Sequence, residues 1–406
     1  MEHSRSDYPC QANRSTKWTA LAVGARLGVR SRTRQRLAAG LWGGALFSVS
    51  LLFAPLTAIG QERGSYVSVD SYTRANPDQI GLMAGFSETV RKTRPPQAAP
   101  DGKAVRIALI YPGLQASDYW RRSVASFEAR LKAAGQPYVL NRYFTKPNVE
   151  VRKQAARLTE ALQQNPDYLV FTLDAQRHKF LIERVLTRGQ PKLILQNITT
   201  PLKAWRDTQP FLYVGFDHQT GTRILANHFI KTTNGKGDYA VVCWSRGYIS
   251  EMRGETFVQA LHDQPQMNLK AFFYAGTTRQ AGQQAALEAL NDFANLKFIY
   301  ACSTDLALGV AQALRTVNRQ DSVMVNGWGG GSAELTALQE GTLDVTVMRM
   351  NDDNGVAMAD AIVLDQSGRT KMVPTVYSGN LVLITNKTPQ ATVRDLKARA
   401  FRYSGQ

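Results

Sequence analysis

Two successive sets of short apolar runs predict an α/β protein of two similar doubly wound parallel-sheet lobes joined by a three-segment hinge. The first set is 107–111, 138–143, 168–173, 192–196 and 211–216. The second is 239–244, 271–274, 298–302, 323–327 and 345–348. Amphipathic helical patterns lie between most of them. One carries Val151, Ala155, Leu158 and Leu162 on one face, and others span 304–317 and 332–340. Mostly apolar strands alternating with amphipathic helices mean parallel sheets covered on both faces.

The amino terminus reads as an address. Arg30, Arg32, Arg34 and Arg36 precede an uncharged stretch, 37–60, whose most apolar part is 41–53. Ala58-Ile59-Gly60 places small residues before Gln61, the pattern of a cleavable secretory signal. An uncleaved anchor is the alternative, since a stretch of that length reaches across a bilayer. Its Gly and Pro content and its cleavage-like end favour the signal. Residues 1–28 fall outside a usual signal, so Val29 or a neighbour is the expected start and 1–60 are expected to be absent from the mature chain.

Residues 61–104 read as an irregular lead-in with one helix over 78–92 and a Pro-rich linker, Arg94 to Gly102. The first lobe is expected to comprise 105–217 plus 351–378, and the second 218–350 plus 379–406. Small and polar residues near 216–218, 350–353 and 378–379 suit the hinge.

The 406 residues carry a net charge of +17, with 44% hydrophobic and 20% charged residues, the composition of a globular protein. Residues 1–60 hold eight Lys/Arg against two Asp/Glu, so +6 of that charge belongs to the address and +11 to the rest. The rest is scattered, apart from a basic tail at 397–402, which argues against a nucleic-acid surface. The three cysteines, Cys10, Cys243 and Cys302, have no metal-ligand spacing. Cys243 and Cys302 end two apolar strands and read as buried thiols, or as a bridge in an oxidising compartment.

Enzyme chemistry finds no support. The five histidines, His3, His178, His218, His228 and His262, form no paired motif, and His178 and His262 are expected on solvated helix faces. There is no HExxH, Walker loop or nucleophile elbow. Gly327-Trp-Gly-Gly-Gly-Ser332 lacks the Lys-Ser/Thr ending of a phosphate loop. It reads as a close-packed turn with Ser332 capping the next helix.

Recognition chemistry recurs where strands end, which is where open α/β sheets collect ligands. Gln115, Ser117 and Trp120 follow the first strand, with Ser117 expected to cap the helix. Asn197 follows the fourth. Ser303, Thr304 and Asp305, then Trp328, belong to the second lobe. Amides, hydroxyls and a carboxylate read a polyhydroxylated molecule, and an indole packs on a ring. Trp120 equally continues a core stripe, Ser303 or Thr304 equally caps a helix, and Asn197 equally ends its strand in a turn. Arg253 and Arg349 discriminate best, because a guanidinium stays charged when buried and calls for an electron-rich ligand. The structural alternative pairs them with Asp305, Asp352 or Asp353.

Six stretches then carry a resemblance: 117–120, 193–201, 211–218, 300–305, 326–335 and 347–353. Across residues 87–403 the chain resembles the LuxP family of autoinducer-2 receptors, within the type I periplasmic binding proteins. The resemblance implies that Gln115, Ser117, Trp120, Asn197, Arg253, Ser303, Thr304, Asp305, Trp328 and Arg349 contact a furanosyl borate diester in an interlobe cleft. It implies that the boron's negative charge lies against Arg253 and Arg349, and that no cofactor or metal is used. It further implies a periplasmic location and, as partner, the periplasmic domain of a LuxQ-like sensor histidine kinase in quorum sensing. Leu114, Ala116 and Trp244-Ser-Arg246 depart from the family pattern, outside the contact set. A sugar-binding protein of an ABC importer shares the fold and is the alternative.

Overall fold

Burial on both faces is what makes central strands such as 107–111 and 168–171 unbroken apolar runs. The computed structural model describes residues 65–99, 102–173 and 177–405. The expected export signal, its Val29 start and Cys10 lie outside the described residues. Two compact units emerge.

The first unit contains residues up to 221, then 348–382 and 388–405. It begins with helices α1 (Val69–Ala75) and α2 (Asp78–Arg91). The alternation follows as β1 (Val105–Tyr111), α3 (Tyr119–Ala133), β2 (Tyr138–Phe144), α4 (Val151–Gln163), β3 (Tyr168–Phe171), α5 (Arg177–Arg188), β4 (Lys192–Gln196) and β5 (Leu212–Gly215). Helix α6 (His218–Thr232) leads into the second unit.

That unit, 222–347 with 383–387, holds β6 (Lys236–Cys243), α7 (Thr256–Leu261), β7 (Gln266–Tyr274), α8 (Arg279–Asp292), β8 (Leu296–Ala301), α9 (Thr304–Thr316), β9 (Met324–Val325) and α10 (Ser332–Gln339). Strand β10 (Val345–Arg349) returns the chain to the first unit for α11 (Asp352–Gln366) and β11 (Val376–Ser378). Strand β12 (Leu381–Thr385) pairs with β10, and α12 (Gln390–Ala400) ends the chain's regular structure.

The first sheet has the order β11-β5-β4-β3-β1-β2 and the second β7-β6-β8-β9, with parallel pairing throughout. Both are doubly wound, because the strand order reverses direction after the first pair in each sheet. The core of the first unit sets Ile107, Leu109, Val170 and Ile194 against Phe127, Val356 and Ile362. In the second unit Phe229, Tyr239 and Phe298 stack, with centroids at 4.3 and 5.1 Å.

The carboxyl end departs from expectation. Residues 388–405 belong to the first unit, not to the second, so the chain passes between units four times. The basic tail explains this. Arg399 and Arg402 both pair with the buried Asp353, at 2.9 and 2.5 Å. Asp352 accepts hydrogen bonds from the Tyr403 and Ser404 amides at 2.7 and 2.8 Å. Arg122 stacks on Phe401 at 3.8 Å. The basic tail is thus bound by two carboxylates at the start of α11.

The lead-in is held by one buried ion pair. Arg130 on α3 and Asp360 on α11 are both fully buried, with Nε–Oδ1 at 2.8 Å and Nη2–Oδ2 at 2.9 Å. Nη1 lies within donating distance of the Lys92 and Thr93 carbonyls, both at 2.9 Å, and of the Tyr403 hydroxyl at 3.0 Å, and Nη2 also donates to the Thr89 carbonyl at 3.3 Å. Burial pushes the Asp360 carboxyl up to about 6. Burial works to lower Arg130, but the hydrogen bonds and charge of Asp360 outweigh it and hold the guanidinium up. The fork-to-fork geometry is that of a carboxylate on a guanidinium. Removing one partner strands the other charge. Asp360→Ala is expected to lower unfolding free energy by about 3–5 kcal/mol in urea titration. The double change Arg130→Met, Asp360→Leu should recover much of it. A loss below about 1 kcal/mol in the single variant would refute this role.

Candidate functional site

The ten residues read as ligand contacts lie at or beyond the carboxyl ends of strands, Arg253 farthest, in the turn 250–255 after β6. The first unit supplies Gln115, Ser117, Trp120, Asn197 and Arg349; the second supplies Arg253, Ser303, Thr304, Asp305 and Trp328.

In the first unit the organiser is Tyr119, which the sequence reading passed over. It opens α3 and is buried, with its ring under the Arg349 guanidinium at 4.4 Å. The phenol oxygen accepts from Gln196 Nε2 at 3.1 Å and from Asn354 Nδ2 at 2.6 Å. Gln196 also donates to Ser123 Oγ at 2.7 Å and accepts from the Tyr111 hydroxyl. A fully buried amide thus ties β4 to β1 and α3, and fixes the ring that carries the arginine. Arg349 is 5% exposed and has Phe216 as a second ring at 6.0 Å.

The neighbouring residues are less free than expected. Trp120 is 3% exposed and packs on Tyr111 and Tyr119 at 4.6 and 4.8 Å, as a core residue does. Ser117 is not the helix cap. Asp118 holds that position and its carboxylate bonds Arg122 Nε at 2.6 Å, while the Ser117 oxygen lies 3.5 Å from the Tyr119 amide. Gln115 donates through Nε2 to the Pro112 carbonyl at 2.7 Å. Asn197 ends β4 in the left-handed region, φ +67°, which Asn tolerates well.

In the second unit the organiser is Glu334, also missed. It is fully buried and accepts four hydrogen bonds: Thr304 Oγ1 at 2.6 Å, Trp328 N at 2.9 Å, Gly330 N at 2.8 Å and Thr346 Oγ1 at 2.6 Å. One carboxylate therefore shapes the Gly-rich turn and anchors α9. A Cβ on Gly327 would lie 2.5 Å from Glu334 Oε2, so that glycine makes room for the carboxylate. Ser332 is not the cap of α10, whose N-cap position is Gly331; Glu334 satisfies the turn's amides instead. The sequence held one signal: an acidic residue in the first turn after a Gly run.

Arg253 lies in a π-helical turn, Ser250–Glu255, and is 4% exposed. It stacks on the Trp328 ring at 3.6 Å and donates Nη1 to the Cys302 carbonyl at 2.8 Å. Ser303 occupies the N-cap of α9, and its hydroxyl accepts from Trp244 Nε1 at 2.9 Å. Thr304 is committed to Glu334, and Asp305 is partly exposed in the first turn. Asp352 and Asp353, suggested as partners of the arginines, serve the carboxyl-terminal segment.

His178 corrects an expectation. It is fully buried, edge-on to Phe171 at 5.2 Å, because it lies on the core-facing side of α5. His262 is exposed, as expected. Cys243 and Cys302 are free buried thiols. Among the described residues no cluster of three or more His, Cys, Asp or Glu could hold a metal ion.

This fold and its strand-end polar groups define a solute-binding protein. A periplasmic binding protein domain model matches residues 107–369, and the chain belongs to that family. Its members bind or help transport solutes in the periplasm and are not enzymes. Solved structures with the same fold include a glucose-galactose binding protein from Geobacillus stearothermophilus. It has 18% identity and TM-score 0.63, covering 71% of this chain and 99% of that one. An ABC transporter solute-binding protein from Bacillus halodurans, solved with myo-inositol, has 18% identity and TM-score 0.61, covering 74% and 100%. The fructose-binding periplasmic domain of a hybrid two-component system has 17% identity and TM-score 0.63, covering 72% and 94%.

Replacing Glu334 by Gln turns an amide N–H₂ toward groups that already donate. Glu334→Gln is expected to cost at least about 2 kcal/mol. Hydrogen exchange at the Trp328 and Gly330 amides should speed up, and unchanged protection there would contradict the role of Glu334.

Proposed function

We propose that this chain is a periplasmic quorum-sensing receptor of the LuxP type. It binds autoinducer-2 as the furanosyl borate diester and regulates a LuxQ-like membrane sensor histidine kinase. The observation that carries this reading is the pair of buried guanidinium groups, each laid on an aromatic face: Arg253 on Trp328 and Arg349 on Tyr119. Stacking fixes the plane of a guanidinium, and a fixed fork is preorganised for paired oxygens. A borate diester offers such oxygens with one negative charge. At an effective dielectric of about 20, a charge pair at about 4 Å is worth about 4 kcal/mol before desolvation. A neutral sugar has no equivalent term.

Gln115, Ser117, Trp120, Asn197, Ser303, Thr304, Asp305 and Trp328 would supply hydrogen bonds and ring contacts to the same ligand. A ligand that engages residues of both units favours whichever arrangement of them it binds more tightly, and only by that difference. The kinase would read that shift. The two-component neighbour supports a signalling role for this fold.

A second reading, sugar capture for an ABC importer, is favoured by the importer protein solved with myo-inositol. Borate separates the two. Calorimetry with autoinducer-2 should show binding in borate buffer that weakens strongly when borate is removed. Arg253→Ala and Arg349→Ala should each weaken binding at least about tenfold and abolish most of the borate dependence. Equal affinity with and without borate in the intact protein would refute the charge argument and favour the importer.

A further inference from the structure

The excess positive charge of this chain is confined to one unit. Residues 222–347 and 383–387 hold eleven Lys/Arg and eleven Asp/Glu. Residues 61–221, 348–382 and 388–406 hold thirty Lys/Arg and nineteen Asp/Glu, so the whole +11 falls on the first unit. Some of that excess is used inside the unit, at Arg349 and around Asp353. A further share lies on the neighbouring helices α4 and α5, which together carry seven Lys/Arg against two Glu.

Between these two helices runs a groove of about 230 Å³. Its floor is Leu158 and Leu162 from α4, with Leu181 and Val185 from α5. The i, i+4 spacing puts each pair on one helix face, a turn apart. Leu158 and Val185 are buried, while Leu162 and Leu181 are half-buried. The exposed Arg184 and Arg188 stand a turn apart on the α5 rim. Among the described residues no carboxylate lines the groove, and neither arginine pairs with one. The two glutamates of these helices are directed elsewhere. Glu160 meets Arg157 at 2.5 Å, and Glu183 accepts from the Trp205 indole at 2.9 Å and lies 3.8 Å from Lys179. Phe180, 72% exposed, precedes Arg184 by one turn and extends the apolar strip along α5.

An apolar floor receives apolar side chains, and two unanswered guanidinium groups beside it receive carboxylates. A second copy of the same face would set arginine against arginine, which like-charge repulsion disfavours. A lipid surface takes apolar groups that project, whereas these leucines line a recess. We propose that the α4–α5 groove is a docking site for an acidic amphipathic helix of a protein partner. Apolar side chains a turn apart on that helix seat on Leu158, Leu162, Leu181 and Val185, and its carboxylates meet Arg184 and Arg188. The groove lies on the later turns of both helices, which run back toward the amino ends of the strands and so away from the ligand contacts. The proposal therefore does not rest on the function proposed above.

The test is fluorescence anisotropy of a labelled synthetic helix of about 18 residues, with Leu at i, i+3, i+4 and i+7 and Glu on the flanks. Binding to the full chain should saturate and weaken as salt is added. A scrambled peptide of the same composition should not bind. Leu181→Asp should weaken binding at least about tenfold, and so should Arg184→Glu combined with Arg188→Glu. Both arginines are exposed, so the second variant keeps the fold even where Leu181→Asp loses it. Lys371→Glu removes an exposed cation elsewhere on the first unit and should leave affinity within about twofold. No binding, equal binding of the scrambled peptide, or an equal loss in Lys371→Glu would overturn the docking site. Binding to phosphatidylglycerol vesicles with none to the peptide would overturn it in favour of a membrane surface.

Discussion

A guanidinium withdrawn from water keeps its charge, and among the described residues three arginines are buried: Arg130, Arg253 and Arg349. Arg130 is answered by the Asp360 carboxylate, fork to fork, and that pair gathers the lead-in, α3, α11 and Tyr403 into one unit. Arg253 and Arg349 are each laid on a ring, indole and phenol, and Arg253 also donates to a carbonyl oxygen. An aromatic platform holds the cation in place and fixes its plane, which is what a receptor for an electron-rich ligand requires.

The platforms are rigid because each rests on a fully satisfied buried polar group. Under Tyr119 this group is Gln196, bridging β1, β4 and α3. Beside Trp328 it is Glu334, with four donors converging on one carboxylate. Buried networks of this kind specify one arrangement when complete and are costly when broken. The site is therefore built at the strand ends by residues that need never touch a ligand. Thr304 shows the cost of reading such ends by residue type alone, since its hydroxyl is directed to Glu334.

Most of the architecture was legible because parallel strands buried on both faces leave apolar runs that periodicity detects. Strand β4, for example, spans the predicted 192–196. What escaped depended on long-range pairing. The return of α12 to the first unit rests on Arg399 and Arg402 meeting Asp353, which no local pattern shows. His178 was read as solvated from its polar neighbours, yet its own side of α5 faces Phe171. Glu334 was passed over because Glu is ordinarily exposed, although its place in the first turn after a Gly run was a signal. Arg349 drew notice because a charge closing an apolar strand is itself anomalous, and Arg253 because a guanidinium stands near a helix start beyond Trp244.

The central claim is that the charge on Arg253 and Arg349 selects an anionic, boron-bearing ligand. The most direct measurement is to isolate the protein from cells that make autoinducer-2, denature it, and examine what it releases by boron NMR and mass spectrometry. The account predicts one tetrahedral borate diester per chain. Release of a boron-free pentose or hexose would contradict it.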